Sequence, residues 1–132
     1  MSKGMNKNTS IKTINLVREI GSGINWNEKK NKQFVEAFLA LENANETQCF
    51  LRDLMTETEI KEFANRLEAA SLLTKDVQYN SIIESTGLSS TTIARIAKWL
   101  NGSLGGYRLI LNRISNHHHN SPKIRKGLSL SS

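Results

Sequence analysis

The chain has 132 residues, 38% of them hydrophobic and 6% aromatic, with 18 Lys and Arg against 12 Asp and Glu for a formal net charge of +6; this suits one small domain with a modest core and polar tails. No apolar run approaches the roughly 20 residues that cross a bilayer, which excludes a membrane-spanning helix. No apolar signal segment follows Met1, and Cys49 is the only cysteine, so a cytoplasmic, nucleoid-associated protein without disulfides or membrane partners is expected.

Residues 1–24 and 115–132 are polar, rich in Ser, Asn and Lys, and read as mobile basic tails around a folded domain at 25–114. Apolar residues recur at helical spacing through that domain. Phe34, Val35, Phe38, Leu39 and Leu41 predict an amphipathic helix over 26–42. Asn45 through Gln48 has an N-cap pattern, and Phe50, Leu51 and Leu54 give the helix behind it a short apolar face. Thr56-Glu57-Thr58-Glu59 is a capping box that opens a third helix with Ile60, Phe63, Ala64, Leu67 and Ala70 on one side. Glu57 and Glu59 also suit the positive end of that helix's dipole.

Asp76 is expected to cap a fourth helix bearing Tyr79, Ile82 and Ile83. Gly87 ends it, Leu88 plugs the corner, and Ser89 opens a fifth helix with Thr92 three residues on. Ile93, Ile96, Ala97 and Leu100 make the inner stripe of this helix, and Ser90, Thr91, Ala94, Arg95 and Lys98 its outer face. Asn101 to Gly106 form a turn, and a last helix spans 107–114. No alternating strand pattern or repeat is seen, so the fold class is all-α with six helices.

The stretch Tyr79 to Ile96 is a helix-turn-helix pattern: a helix ending at a glycine free to take positive φ, an apolar corner, then a serine-capped helix. Charge is distributed to match. Residues 26–76 carry −3, whereas 1–25, 77–116 and 117–132 carry +3 each, so an acidic scaffold leads into a basic reading half that faces a polyanion. The DNA-binding residues assigned are Tyr79, Asn80, Ser89, Ser90, Thr91, Thr92, Ala94, Arg95 and Lys98, whose small hydroxyls and cations suit phosphates and base edges of a major groove. An ordinary helical hairpin, with Gly87 and Ser89 as caps only, is the alternative.

The residues Phe50 to Glu59, Arg66, Tyr79 to Ile96, and Gly105-Gly106-Tyr107-Arg108-Leu109 together resemble the Trp repressor-like proteins, in particular their bacterial YerC/YecD branch, over about residues 28–114. The resemblance implies a six-helix, intertwined homodimer that presents two helix-turn-helix units (about 77–101) to a palindromic operator as a transcription regulator, a repressor. Dimerisation helices would span about 26–73. The early helices support this by themselves, because three amphipathic helices followed by short ones close poorly over one chain and bury more by interlocking two.

The resemblance also places Thr56, Arg66, Thr92 and Arg95 where the repressor has the threonines and arginines around its bound tryptophan. Ile96 stands where that protein has glycine, and Trp99 where it has the serine that helps hold the ligand's amino group. Six residues therefore make a candidate ligand pocket, with Ile96 and Trp99 expected together beside Arg95 and Thr92, filling the space of a free indole. No cofactor is expected; a small-molecule corepressor stays open, and L-tryptophan is not expected to act as one. Trp99 is read either as an internal substitute for the ligand ring or as packing between the reading helix and the last helix.

Other residues read more plainly. His117, His118 and His119 lie in a polar segment whose sequence, 115–132, holds no Asp, Glu or Cys, and they are assigned no metal. Cys49 reads as a small buried hydrophobe, with no His in the helical domain to activate it. The acids at 57–62 read as a capped, solvated face, so no enzyme activity is assigned. Beside the DNA-binding regulator stand a DNA-targeting subunit of a transposase or recombinase, marked by a partner chain with acidic catalytic residues, and a protein-interaction adaptor, marked by loss of salt-dependent DNA affinity.

Overall fold

The computed structural model describes residues 23–120, and among them six helices and no strand. They are α1 (Lys29–Leu39), α2 (Ala44–Leu54), α3 (Glu57–Thr74), α4 (Tyr79–Thr86), α5 (Ser90–Leu100) and α6 (Gly106–Asn120). The core lies where the C-terminal half of α3 meets α4, α5 and α6. Ala69, Ala70, Ile82, Ile93 and Ile96 are completely buried there, with Leu72, Leu73, Val77, Ile83, Leu88, Tyr107 and Leu111 packed around them.

Local chemistry explains the boundaries. The capping box at the start of α3 is complete: the Glu59 amide donates to Thr56 Oγ1 at 3.1 Å, and the Thr56 amide to Glu59 Oε2 at 3.2 Å. Ahead of α2 the cap sits two residues earlier than the sequence reading put it. Asn43 takes it, accepting from the Glu46 amide at 2.9 Å, while the Glu46 carboxylate accepts from the Asn43 side chain and the Glu42 amide. Asn43 with Glu46 offers a carboxylate at the third helical position, which Asn45 with Gln48 does not, and the dipole favours the charge.

Asp76 also departs from expectation. It does not cap α4, whose N-cap is Gln78 without a side-chain bond, but ends α3 in the left-handed region at φ 59°. The Val77 amide donates to Leu72 O and the Asp76 amide to Leu73 O, both at 3.1 Å. This is a Schellman ending, with Val77 as the apolar residue that follows it inward.

α1 is shorter than the 26–42 span, because Asn25 to Glu28 form a turn: the Asn27 amide donates to Asn25 Oδ1 at 3.0 Å and the Glu28 amide to Asn25 O at 3.1 Å. At the other end, α6 outruns 107–114 and continues to Asn120. No Gly or Pro interrupts the sequence between Tyr107 and Asn120, and Pro122 is the first breaker. His117, His118 and His119 therefore belong to a helix instead of a tail. Residues 1–22 and 121–132, the remainder of the expected tails, lie outside the described residues.

The inner face expected for α3 divides in two. Ala69 and Ala70 are buried, whereas Phe63 (47% exposed), Ala64 and Leu67 face outward. The same holds for α1 and α2, which contain no buried residue at all. Their apolar faces meet at an edge-on contact of Phe38 with Phe50, ring centroids 5.6 Å apart, beside a similar Phe34–Phe38 pair at 5.2 Å. Cys49 is exposed, not buried, since none of the described residues covers its side of α2.

Candidate nucleic-acid interface

The corner between α4 and α5 is built from backbone needs outward. Gly87 has φ 74°, and a Cβ there would meet nothing within 4 Å, so glycine is required by conformation and not by space. Thr86, buried beside it, donates through its hydroxyl to Ile82 O at 2.7 Å and accepts from the Leu88 amide at 3.2 Å. The Thr86 hydroxyl thus ties the end of α4 to the start of the turn. Ser89 caps α5, accepting from the Thr92 amide at 3.1 Å and donating to Thr92 Oγ1 at 2.9 Å.

With the corner fixed, the spacing of α5 decides what it shows. Ile93, Ile96 and Leu100 are buried, and Ser90, Thr91, Ala94, Arg95 and Lys98 are exposed. Neither Arg95 nor Lys98 forms a side-chain hydrogen bond or ion pair among the described residues. Tyr79 and Asn80 stand in the exposed first turn of α4. Ser89 and Thr92 are placed differently from the rest of the assigned set, because their hydroxyls are bonded to each other at the helix start. The face as a whole offers two uncommitted cations and small side chains that let a second body approach closely.

The residues of the candidate ligand pocket make different local contacts. Thr56 spends its hydroxyl on the α3 cap. Arg66, ten residues further along the same helix, pairs with Glu62 at 3.3 Å and lies over the Phe63 ring at 5.3 Å, with its Nε buried and unpartnered. Ile96 is in the core with Ile82 and Ile93. Trp99, 48% exposed, instead lines an apolar cavity of about 510 Å³ with Leu67, Leu104, Gly106, Tyr107 and Ile110. Ile96 and Trp99 are three residues apart, yet Ile96 points to α3 and α4 while Trp99 lies at the α5–α6 side. Burial pushes the Tyr107 phenol above its usual pKa, with the Arg66 charge opposing in part.

Two features escaped the sequence reading. Thr86 was readable, since a threonine just before a helix-ending glycine can bond back to the helix and forward to the turn. The other is Arg108, whose guanidinium donates to Leu100 O and, at 2.9 Å, to Gly102 O. A cation in the first turn of α6, at the wrong end of its own helix dipole, was the available signal.

Residues 29–115 match the family model described as Trp repressor protein. The chain belongs to the Trp repressor family. It is 35% identical over 86 residues, 65% of this chain and 83% of the other, to the protein YerC of Bacillus subtilis strain 168, and is of that YerC type. A TrpR-like protein from Eubacterium eligens superposes with a TM-score of 0.65 at 31% identity, covering 68% of this chain and 93% of that one. A Staphylococcus aureus chain solved as a candidate Trp repressor gives 0.60 at 32% identity, covering 64% and 84%. The fold is thus the all-α Trp repressor-like fold, and the family is one of DNA-binding helix-turn-helix regulators, not of enzymes. No helix among the described residues is long and apolar enough to cross a membrane.

Proposed function

We propose that this Trp repressor family member works in the cytoplasm, on the nucleoid, as a homodimer that binds a palindromic operator in double-stranded DNA, represses transcription there, and does so without tryptophan. The observation that carries the DNA reading is the division of α5: one side holds the core through Ile93, Ile96 and Leu100, and the other presents Ser90, Thr91, Ala94, Arg95 and Lys98 with both cations unspent. Homodimerisation is supported by the uncovered apolar faces of α1, α2 and early α3. A two-fold dimer sets its reading helices about one DNA turn, roughly 34 Å, apart, which turns two weak contacts into one specific one.

Independence from tryptophan is supported by the engagement of Thr56, Thr92 and Arg66 in their own helix-start and ion-pair contacts. The test of the whole reading is capture of fragmented genomic DNA by purified full-length protein without added amino acid. Enrichment of one inverted repeat, with affinity falling steeply with salt, is expected. Retention of DNA without any shared sequence, or of none, overturns it.

A further inference from the structure

The C-terminus of the reading helix carries a device that the DNA-facing residues do not explain. The last carbonyls of α5 have no helical partners of their own. Asn101 meets Ala97 O twice, by its amide at 3.1 Å and its side chain at 2.9 Å, and the Gly102 amide donates to Trp99 O at 3.1 Å. Leu100 O and Gly102 O are taken by Arg108, which reaches back from the first turn of α6 with one nitrogen on each.

The intervening turn is shaped around that fork. Gly105 has φ 72°, and a Cβ on it would meet Arg108 Nη2 at 3.2 Å; a Cβ on Gly102 would meet Trp99 O at 3.3 Å. Both glycines bring the backbone close enough for a planar guanidinium to span two carbonyls, which a lysine ammonium cannot do with the same geometry. Asp76 lines the same cleft of about 410 Å³ yet makes no ion pair with Arg108 among the described residues, so the fork is committed to backbone. The charge is unfavourable for α6 and favourable for the negative end of α5.

We propose that Arg108 is a positioning residue for DNA reading: it locks the C-terminal end of α5 to the start of α6 and thereby fixes the angle at which the reading face is held. This rests on the DNA reading proposed above. Leu109, Ile110 and Ile114 of α6 are exposed apolar residues available to a second copy, so the lock carries the geometry of the dimer into the reading helix and sets the half-site spacing that the dimer accepts. Arg108 itself touches no phosphate.

The experiment compares wild type, Arg108→Gln and Arg108→Lys as full-length proteins on the captured inverted repeat, on the same repeat with its half-sites moved by one base pair, and on scrambled DNA, each over a salt series. For Arg108→Gln the preference for the repeat over scrambled DNA should fall about tenfold. Discrimination between the two spacings should flatten, while the salt slope on scrambled DNA stays as in wild type. Arg108→Lys, which keeps the charge and reaches one carbonyl, should fold as wild type and recover only part of the preference.

Faster amide exchange at Asn101 and Gly102 in both variants, read without DNA, should accompany these changes. Unchanged preference in Arg108→Gln overturns the proposal, and so does full recovery by lysine. A salt slope lower by about 0.9, the signature of a lost phosphate contact, overturns it as well. Failure of the wild type to prefer the repeat sinks the DNA reading itself, and is told apart by appearing before any variant is made.

Discussion

The two halves of the described domain are both built from helices that carry apolar residues at helical spacing, and they end in opposite states. From Ala69 onward, Ala69, Ala70, Ile82, Ile93 and Ile96 of α3, α4 and α5 disappear completely into a shared core. Before that point Phe34, Val35, Phe38, Leu39, Leu54, Phe63 and Leu67 all remain exposed, Leu39 by 79%. The difference teaches that an apolar stripe specifies a helix but not what covers it. In the second half the corner at Gly87 and the ending at Asp76 fold the helices back onto one another. In the first half the connections are as short, yet they lead each helix away from the core, and a contiguous apolar surface of this kind marks an interaction site. A second copy of the chain is the cover we propose.

The largest expected effect breaks the compact half. Ile93→Ala removes a fully buried side chain at the centre of the core and should cost about 3 kcal/mol, within the range of about 2–5 kcal/mol for such truncations. Chemical denaturation followed by circular dichroism checks it. A loss under about 1 kcal/mol would mean that this half is not the stable nucleus.

Leu67→Glu tests the other half. Leu67 is only partly covered in the single chain, so the compact half should keep its helices, while a carboxylate on the seam should weaken self-association by about 100-fold, or about 2.7 kcal/mol. Sedimentation across a concentration series reads this directly. A wild type that sediments as a compact monomer at micromolar concentration overturns the interlocked arrangement.

These two variants also mark what was legible in the sequence. Six helices, the capping box at Thr56 and the Gly87–Ser89 corner were readable, since each depends on residues within four positions of one another. The two-sided character of α3 was not. Phe63, Leu67 and Ala70 share a helical face, and only the tertiary placement of α4 to α6 decides that Ala70 is covered and Phe63 is not. For the same reason Ile96 and Trp99 were expected together: a spacing of three puts both on the apolar side of α5, but α3 and α4 claim one and α6 the other. Their neighbours come from distant sequence, where no local pattern carries the information.

Smaller effects are expected on the reading face, since its residues carry no packing. Thr91→Glu should abolish preference for the inverted repeat with circular dichroism unchanged, by setting a carboxylate against bases and phosphates. Lys98→Ala should weaken binding to every sequence alike and reduce the salt slope by about one. If Thr91→Glu binds the repeat as wild type does, the exposed side of α5 is not the reader, and the contrast between its buried and exposed sides has no functional meaning.

The smallest expected effect is none: free L-tryptophan should leave operator affinity unchanged. Its polar partners by resemblance are Thr56, Arg66, Thr92 and Arg95, and its ring needs an apolar slot beside them. In this chain the hydroxyls of Thr56 and Thr92 are engaged at helix starts, and Arg66 is paired with Glu62 and stacked on Phe63. The apolar cavity by α5 and α6 is lined by Trp99, Leu67, Leu104, Gly106, Tyr107 and Ile110, with none of those four polar residues on its walls. The walls of that cavity therefore offer an indole an apolar surface but offer its ammonium and carboxylate none of those four side chains. Titration calorimetry with millimolar L-tryptophan should give no heat of site binding, and operator titrations with and without it should coincide. A tenfold rise in affinity, about 1.4 kcal/mol of coupling, would show that these residues do assemble around a ligand and that Trp99 leaves room for it.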